Sequence, residues 1–442
     1  MATAAEIEAA HLLRRTGFGA SAGDIATLAP MTRAQRVDWV MDTSANTAAV
    51  HPAYVQNAND PTQVDSYASF IVMRRWWLDR MATVARPFHE KMTLFWHGLL
   101  TTSFWKVGDI ESIMDQNDTL RLNAFGSFNT LVQSVSLGSA MIQYLDNDSN
   151  YAGHPNENFA RELMELFTLG VDNGYVQADV LAMARAWTGH NLMYPQSGPP
   201  VYHFYSGNHD TGLKSIFGLA AQNWDGPPLL AQLINGVRKP QCSLHIARRL
   251  WTFLAGPPAN DQMLSPFASA FAADNMNIGT LVRSILLSDA FYTDQVRHSL
   301  VRSPIDWGVS LLRATGRDCT QTDMDYHLSD LGQGVLEPPT VAGWKTNNIW
   351  ISENAEWEKS DAAVQVADQA VTAGFLSGLE TTPVATAVDI ALDALGTPAW
   401  SVSAGTKAAL ANFLTAERAV NGSRQRRNMI RLVSLSPEYQ LA

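Results

Sequence analysis

Apolar residues recur every three or four positions through most of this 442-residue chain. The pattern runs from residues 5–15 through 68–84, 87–103, 111–122, 156–169, 241–254 and 303–315 to 424–435. A repeat near 3.6 fits helices with one buried face and does not fit strands. The expected fold class is therefore mainly α: a compact multi-helix body with a small β-hairpin excursion. The hairpin is expected at residues 201–218, where two β-prone runs flank the turn formers Gly207, Asn208 and Asp210. Gly198, Pro199 and Pro200 before it, and Asp225, Gly226, Pro227 and Pro228 after it, punctuate the helical pattern. Two parts are expected, residues 1–240 carrying the candidate site and hairpin, and residues 241–442 packing against them.

A net charge of -11 argues against a nucleic-acid partner, since phosphate contacts need a basic face. No apolar run approaches the ~18 to 20 residues that span a bilayer. The N-terminal stretch enters an amphipathic pattern at once, so the expected location is cytoplasmic as written, or exported if a leader has been removed. Cys242 and Cys319 are too few for a disulfide framework or a cysteine zinc site; they read as two buried thiols, with one bridge as the alternative.

Polar residues on apolar helices supply the candidate chemistry. In GHPNENFARELMELFTLG, residues 153–170, Phe159, Leu163, Leu166 and Phe167 share one helical face. Asn158, Glu162 and Glu165 form the adjacent stripe. Glu162 and Glu165 stand at i and i+3, so both carboxylates can reach one point, and Arg161 can pair with Glu165 at i+4. A water-facing stripe is the plainer reading. In the preceding helical segment Glu90, Thr93 and His97 align, but Glu90 and His97 are about 10 Å apart along the axis, too far to share an ion. A histidine among Phe95, Trp96, Leu99 and Leu100 is commonly a satisfied core residue.

The loop 146–157 places Asp146, Asp148, Asn150 and Glu157 at positions 1, 3, 5 and 12 of a calcium-loop spacing, with Tyr151 where glycine belongs. His190, His203 and His209, followed by Asp210, gather around the hairpin; imidazole and carboxylate suit zinc, iron or copper, though no tight ligand motif is present. The segment 336–352, with Pro338, Pro339, Gly343, Trp344 and Trp350, reads as a rigid loop that plugs the core or closes over a pocket.

Together HLLRRTGFGAS, EKMTLFWHGLLTTS, NENFARELMELFTLG, YVQADVLAMARAWTG, HDTGLKSIFG and PPTVAGW resemble the bacterial family catalogued as domain of unknown function 1800. The resemblance transfers no activity. It implies export for many members and a protein partner of phosphatase-like or sulfatase-like fold. It also implies a second histidine where Leu99 stands and tryptophan where His190 stands.

The leading expectation is an enzyme with a carboxylate- and histidine-lined pocket, formed by Glu90, His97, Asn158, Glu162 and Glu165, for an unknown small molecule and a possible divalent metal ion. Glu162 or Glu165 would serve as general base or metal ligand, His97 as acid/base, and Arg161 as the charge keeping a carboxylate ionised. The alternatives are a non-catalytic partner protein and a calcium-stabilised scaffold.

Overall fold

The computed structural model describes residues 2–256, 259–297, 299–420 and 424–441. Helix dominates, and strand is confined to two small antiparallel pairs among the described residues: β1 (Gln56–Asn57) with β2 (Asp60–Val64), and β3 (His190–Met193) with β4 (Val201–Phe204). No helix among these residues is long and apolar enough to cross a membrane.

Local sequence sets the helix ends. Helix Ala4–Thr16 starts with a capping box in which Thr3 and Glu6 satisfy each other's backbone N–H groups, and it carries Arg14 and Arg15 in its last turn. Helix Ser66–Thr83 is capped by Asp65, which accepts from Ala68 N–H. Helix Phe88–Leu99 follows Pro87, whose fixed φ suits entry into a helix.

Two apolar cores result. The larger gathers Leu12 and Leu13 from the first helix, Met92, Trp96 and Leu99 from helix Phe88–Leu99, and Ile246, Leu250 and Leu254 from helix Lys239–Ala255. The second gathers Phe70 and Trp77 from helix Ser66–Thr83, Ile113 from helix Ile110–Leu122, Leu311 and Leu312 from helix Pro304–Thr315, and Val366 and Ile430 from helices Glu353–Thr372 and Gln425–Ser434. Helix Phe88–Leu99 serves both, because Leu94 points into the second core. The second core also takes Phe18, Phe104 and Ala140 from the first part of the chain, so both cores draw on that part.

The hairpin lies earlier than 201–218. β4 pairs backwards with β3, His190 opposite Phe204 and Met193 opposite Val201. The Gly198, Pro199, Pro200 cluster is thus inside the hairpin connection. The following Ser206–Asn208 forms a single 3₁₀ turn, because Thr188 Oγ1 captures Asp210 N–H at 2.8 Å and folds the chain back under β3. The segment 336–352 docks on helix Phe88–Leu99: a side chain at Gly343, where φ is +81°, would meet Gly98 O at 2.2 Å, and Trp344 packs on Gly98. Its far side lines an open cleft of about 480 Å³ through Pro339, Lys345, Ile349 and Trp350.

Candidate functional site

Glu90 is wholly buried and fully engaged. Arg80 Nε donates to its Oε1 at 2.6 Å, Trp77 Nε1 to Oε2 at 2.9 Å, and Arg121 Nε lies 3.1 Å from both oxygens. Arg80 continues to the carbonyls of Thr47 and Ala48, and Arg121 to Asn117 and Asp118. This is a satisfied ionic hub between helices, with the geometry of a structural group.

His97 Nε2 accepts the backbone N–H of Leu336 at 3.2 Å, and its ring is held edge-on by Trp77 and Trp344, 5.5 and 5.3 Å away. Burial pushes it down to about 3 with no charged neighbour contributing, so it is a neutral acceptor. Tryptophan rings and the Leu336 backbone enclose it.

Asn158, Arg161, Glu162 and Glu165 do form one stripe, on helix Glu157–Glu162 and the π-helical turn Leu163–Thr168 that continues it. Arg161 bridges Glu157 at 2.9 Å and Glu165 at 3.2 Å and reaches Gln177 at 2.9 Å. Asn158 Nδ2 donates to Leu145 O and Asp146 Oδ2. Burial, then Glu165, pushes the Glu162 carboxyl up, with Arg161 opposing. The stripe is partly exposed, and within it Arg161 pairs with Glu165.

The calcium-loop residues turn to different partners. Asp146, in the left-handed region at φ 58°, pairs with Lys106 at 2.9 Å; Glu157 pairs with Arg161. Asn150 is buried, donating to Asn147 Oδ1 and Ala184 O while accepting Asn156 N–H. Residues Asn147–Ser149 form a 3₁₀ turn. Without glycine at position 151 the chain does not wrap around a point, and Asp146, Asp148 and Glu157 bring no three ligand atoms together.

The convergence lies at the hairpin. Among the described residues, His190, His209 and Asp225 place one ligand atom each within 4.8 Å of one another. His190 sits on β3, where Asn147 Nδ2 holds its carbonyl at 2.7 Å, and its Nε2 lies 2.8 Å from Asp225 Oδ1. The other ring nitrogen, Nδ1, is 2.9 Å from the Tyr202 hydroxyl on β4. His209 Nδ1 donates to Thr188 O at 2.8 Å, which leaves Nε2 as its ligand nitrogen. Asp225 caps helix Gly226–Gln232 and accepts Gly226 N–H at 2.9 Å. Burial works to raise Asp225, but the His190 hydrogen bond and charge, Gly226 N–H and His209 hold it below the usual carboxylate range. His190 is buried against Trp187 and Phe204, at ring separations of 4.9 Å, whereas the Asp225 side chain is 44% exposed. One side of the group thus opens to solvent.

Of the histidine cluster expected from sequence, His203 lies outside this group, edge-on to Tyr205, and Asp210 is turned to Arg185 at 2.7 Å. Asp225 was legible only as a turn former before two prolines.

The profile of the family described as "Protein of unknown function (DUF1800)" matches residues 11–441. The chain belongs to that family. No curated protein and no solved structure matches it.

Proposed function

We propose that this DUF1800 protein is a metal-dependent enzyme whose centre is His190, His209 and Asp225. The observation that carries the reading is the convergence of two imidazoles and one carboxylate from three separate segments. That donor set suits zinc or another first-row divalent metal better than calcium, which takes six to eight oxygens. Three protein ligands leave positions for substrate, the arrangement of catalytic rather than closed structural sites. A metal held there would supply Lewis-acid polarisation of a substrate carbonyl or phosphoryl oxygen.

The protein's own groups supply the rest. Thr188 O fixes the His209 ring through Nδ1, and Tyr202 does the same for His190. Trp187 and Phe204 wall the buried side, and the exposed edge of Asp225 faces the approach. Tyr202 and Phe204, both partly exposed on β4, give a small molecule an aromatic surface to rest on.

A second reading is a metal-free polar network in a non-catalytic protein. Both nitrogens of His190 already have protein partners, which favours it. Elemental analysis separates the two. Protein purified without added metal, or loaded with zinc and desalted, is expected to hold about one equivalent, and His209→Ala and Asp225→Asn to hold none while remaining folded. Absence of bound metal in folded wild-type protein after zinc loading would overturn the metal reading.

A further inference from the structure

Between the two cores lies a cluster of buried cations that the hairpin site does not use. The last turn of helix Ala4–Thr16 brings Arg14 and Arg15, helix Phe88–Leu99 brings Lys91, and the entry to helix Pro304–Thr315 brings Arg302 and Asp306. The four cations are between 1% and 5% exposed, and the carboxylate that acts on Arg15, Lys91 and Arg302 is Asp306. Burial of this many like charges against a single anion is unfavourable, because desolvation and mutual repulsion add.

The partners of Arg15 and Arg302 are insufficient. Lys91 Nζ lies 3.1 Å from Asp306 Oδ1 and donates to Gly17 O at 3.0 Å. Arg14 donates to Ser401 Oγ at 3.1 Å. Arg15 spends Nη2 on Val296 O and on Ser299 Oγ. Arg302 lies over the Tyr439 ring, 4.7 Å from its centroid. Nε and Nη1 of Arg15 remain buried without a hydrogen-bond acceptor among the described residues, and Nη1 and Nη2 of Arg302 have only the Tyr439 side chain beside them. Burial, reinforced by neighbouring cations, pulls Arg15 down to about 9. Native interiors rarely leave such donors unmet, and guanidinium forks match small anions well.

We propose that Arg15 and Arg302, with Lys91 beside them, hold a small inorganic anion, a halide or a tetrahedral oxyanion, buried between the two cores. The anion accepts the unmet N–H groups and offsets the excess positive charge. It joins the first helix to the start of helix Pro304–Thr315, so it acts as a structural ligand of the whole chain and not as a substrate.

The test uses the full chain, exchanged into HEPES buffer with sodium gluconate as the background salt. Ion chromatography of the denatured protein is expected to recover about one equivalent of chloride, phosphate or sulfate. Adding these three salts separately, at constant ionic strength, is expected to raise the melting temperature with the recovered ion and not equally with all three. Arg302→Leu should lose both the bound ion and the response, and in the anion-poor buffer should melt above the wild type because repulsion is relieved. Should that variant not fold, Arg302→Lys, which keeps the charge but not the fork, is expected to show a weaker response to the same ion. If no ion is recovered and none of the three salts shifts the wild-type melt, water fills the site and the proposal is wrong. An Arg302→Leu response equal to the wild type's also overturns it.

Discussion

The Tyr202 hydroxyl lies 2.9 Å from His190 Nδ1, on the side of the imidazole away from Asp225. A strand residue thereby fixes the orientation of a ring whose other nitrogen faces the carboxylate. Under the metal reading, Tyr202→Phe keeps the aromatic body and removes this one contact. Metal affinity is expected to fall about 10- to 100-fold while the melting temperature barely moves, as measured by competition with a chromophoric chelator.

Glu90 answers differently from the other candidate carboxylates. Glu90→Gln removes the charge shared by Arg80 and Arg121 and leaves two buried guanidiniums short of a partner. A loss of roughly 3 to 5 kcal/mol in urea unfolding is expected. Although burial raises the Glu90 carboxyl, Arg121 and Arg80 outweigh it and hold the folded value below 4.5. Its contribution is therefore present above the unfolded value and lost as pH falls through the folded one. The variant's stability should vary less with pH below about 4.5 than the wild type's.

Glu162→Gln is expected to go the other way. Burial and Glu165 raise the folded value of Glu162, so ionisation at neutral pH works against the fold. Removing the charge should leave stability unchanged or increase it by less than about 1 kcal/mol, after allowance for solvent screening. A large loss in the thermal melt would show that the carboxylate has a structural partner.

Three buried histidines set the acid limit. Burial pushes His97 down to about 3 and His245 to about 4, and burial followed by the Arg15 charge lowers His11 well below 6.5. Each stays neutral in the fold while its unfolded counterpart takes a proton below pH 6.5. Stability is therefore full above that pH and declines as pH falls toward the folded values, by at most about 1.4 kcal/mol per unit per histidine. Urea melts between pH 7.5 and 5 should show the decline, and His97→Gln should make it shallower.

Much of this architecture was legible in sequence because helical periodicity is local. A helical repeat does not carry what faces a side chain. Glu90 reads as a free carboxylate until Arg80 and Arg121, from two other helices, are seen to close on it. The alignment of Glu90 with His97 carried no information about Trp344, which arrives from a loop almost 250 residues later. The hairpin was misregistered because the Gly198, Pro199, Pro200 cluster was taken as its border and is its connection. Asp225 escaped notice because a centre built from residues 190, 209 and 225 has no repeat spacing; its convergence is a tertiary event.

The apolar face of helix Ser66–Thr83 meets Leu312, Val366 and Ile430 in the second core. During synthesis Phe70 and Trp77 leave the ribosome long before those partners exist. At roughly 5 to 20 residues per second, the wait is on the order of ten seconds or more. Until then part of this apolar face waits for its cover, which places aggregation risk in the making of the chain as well as in its finished fold.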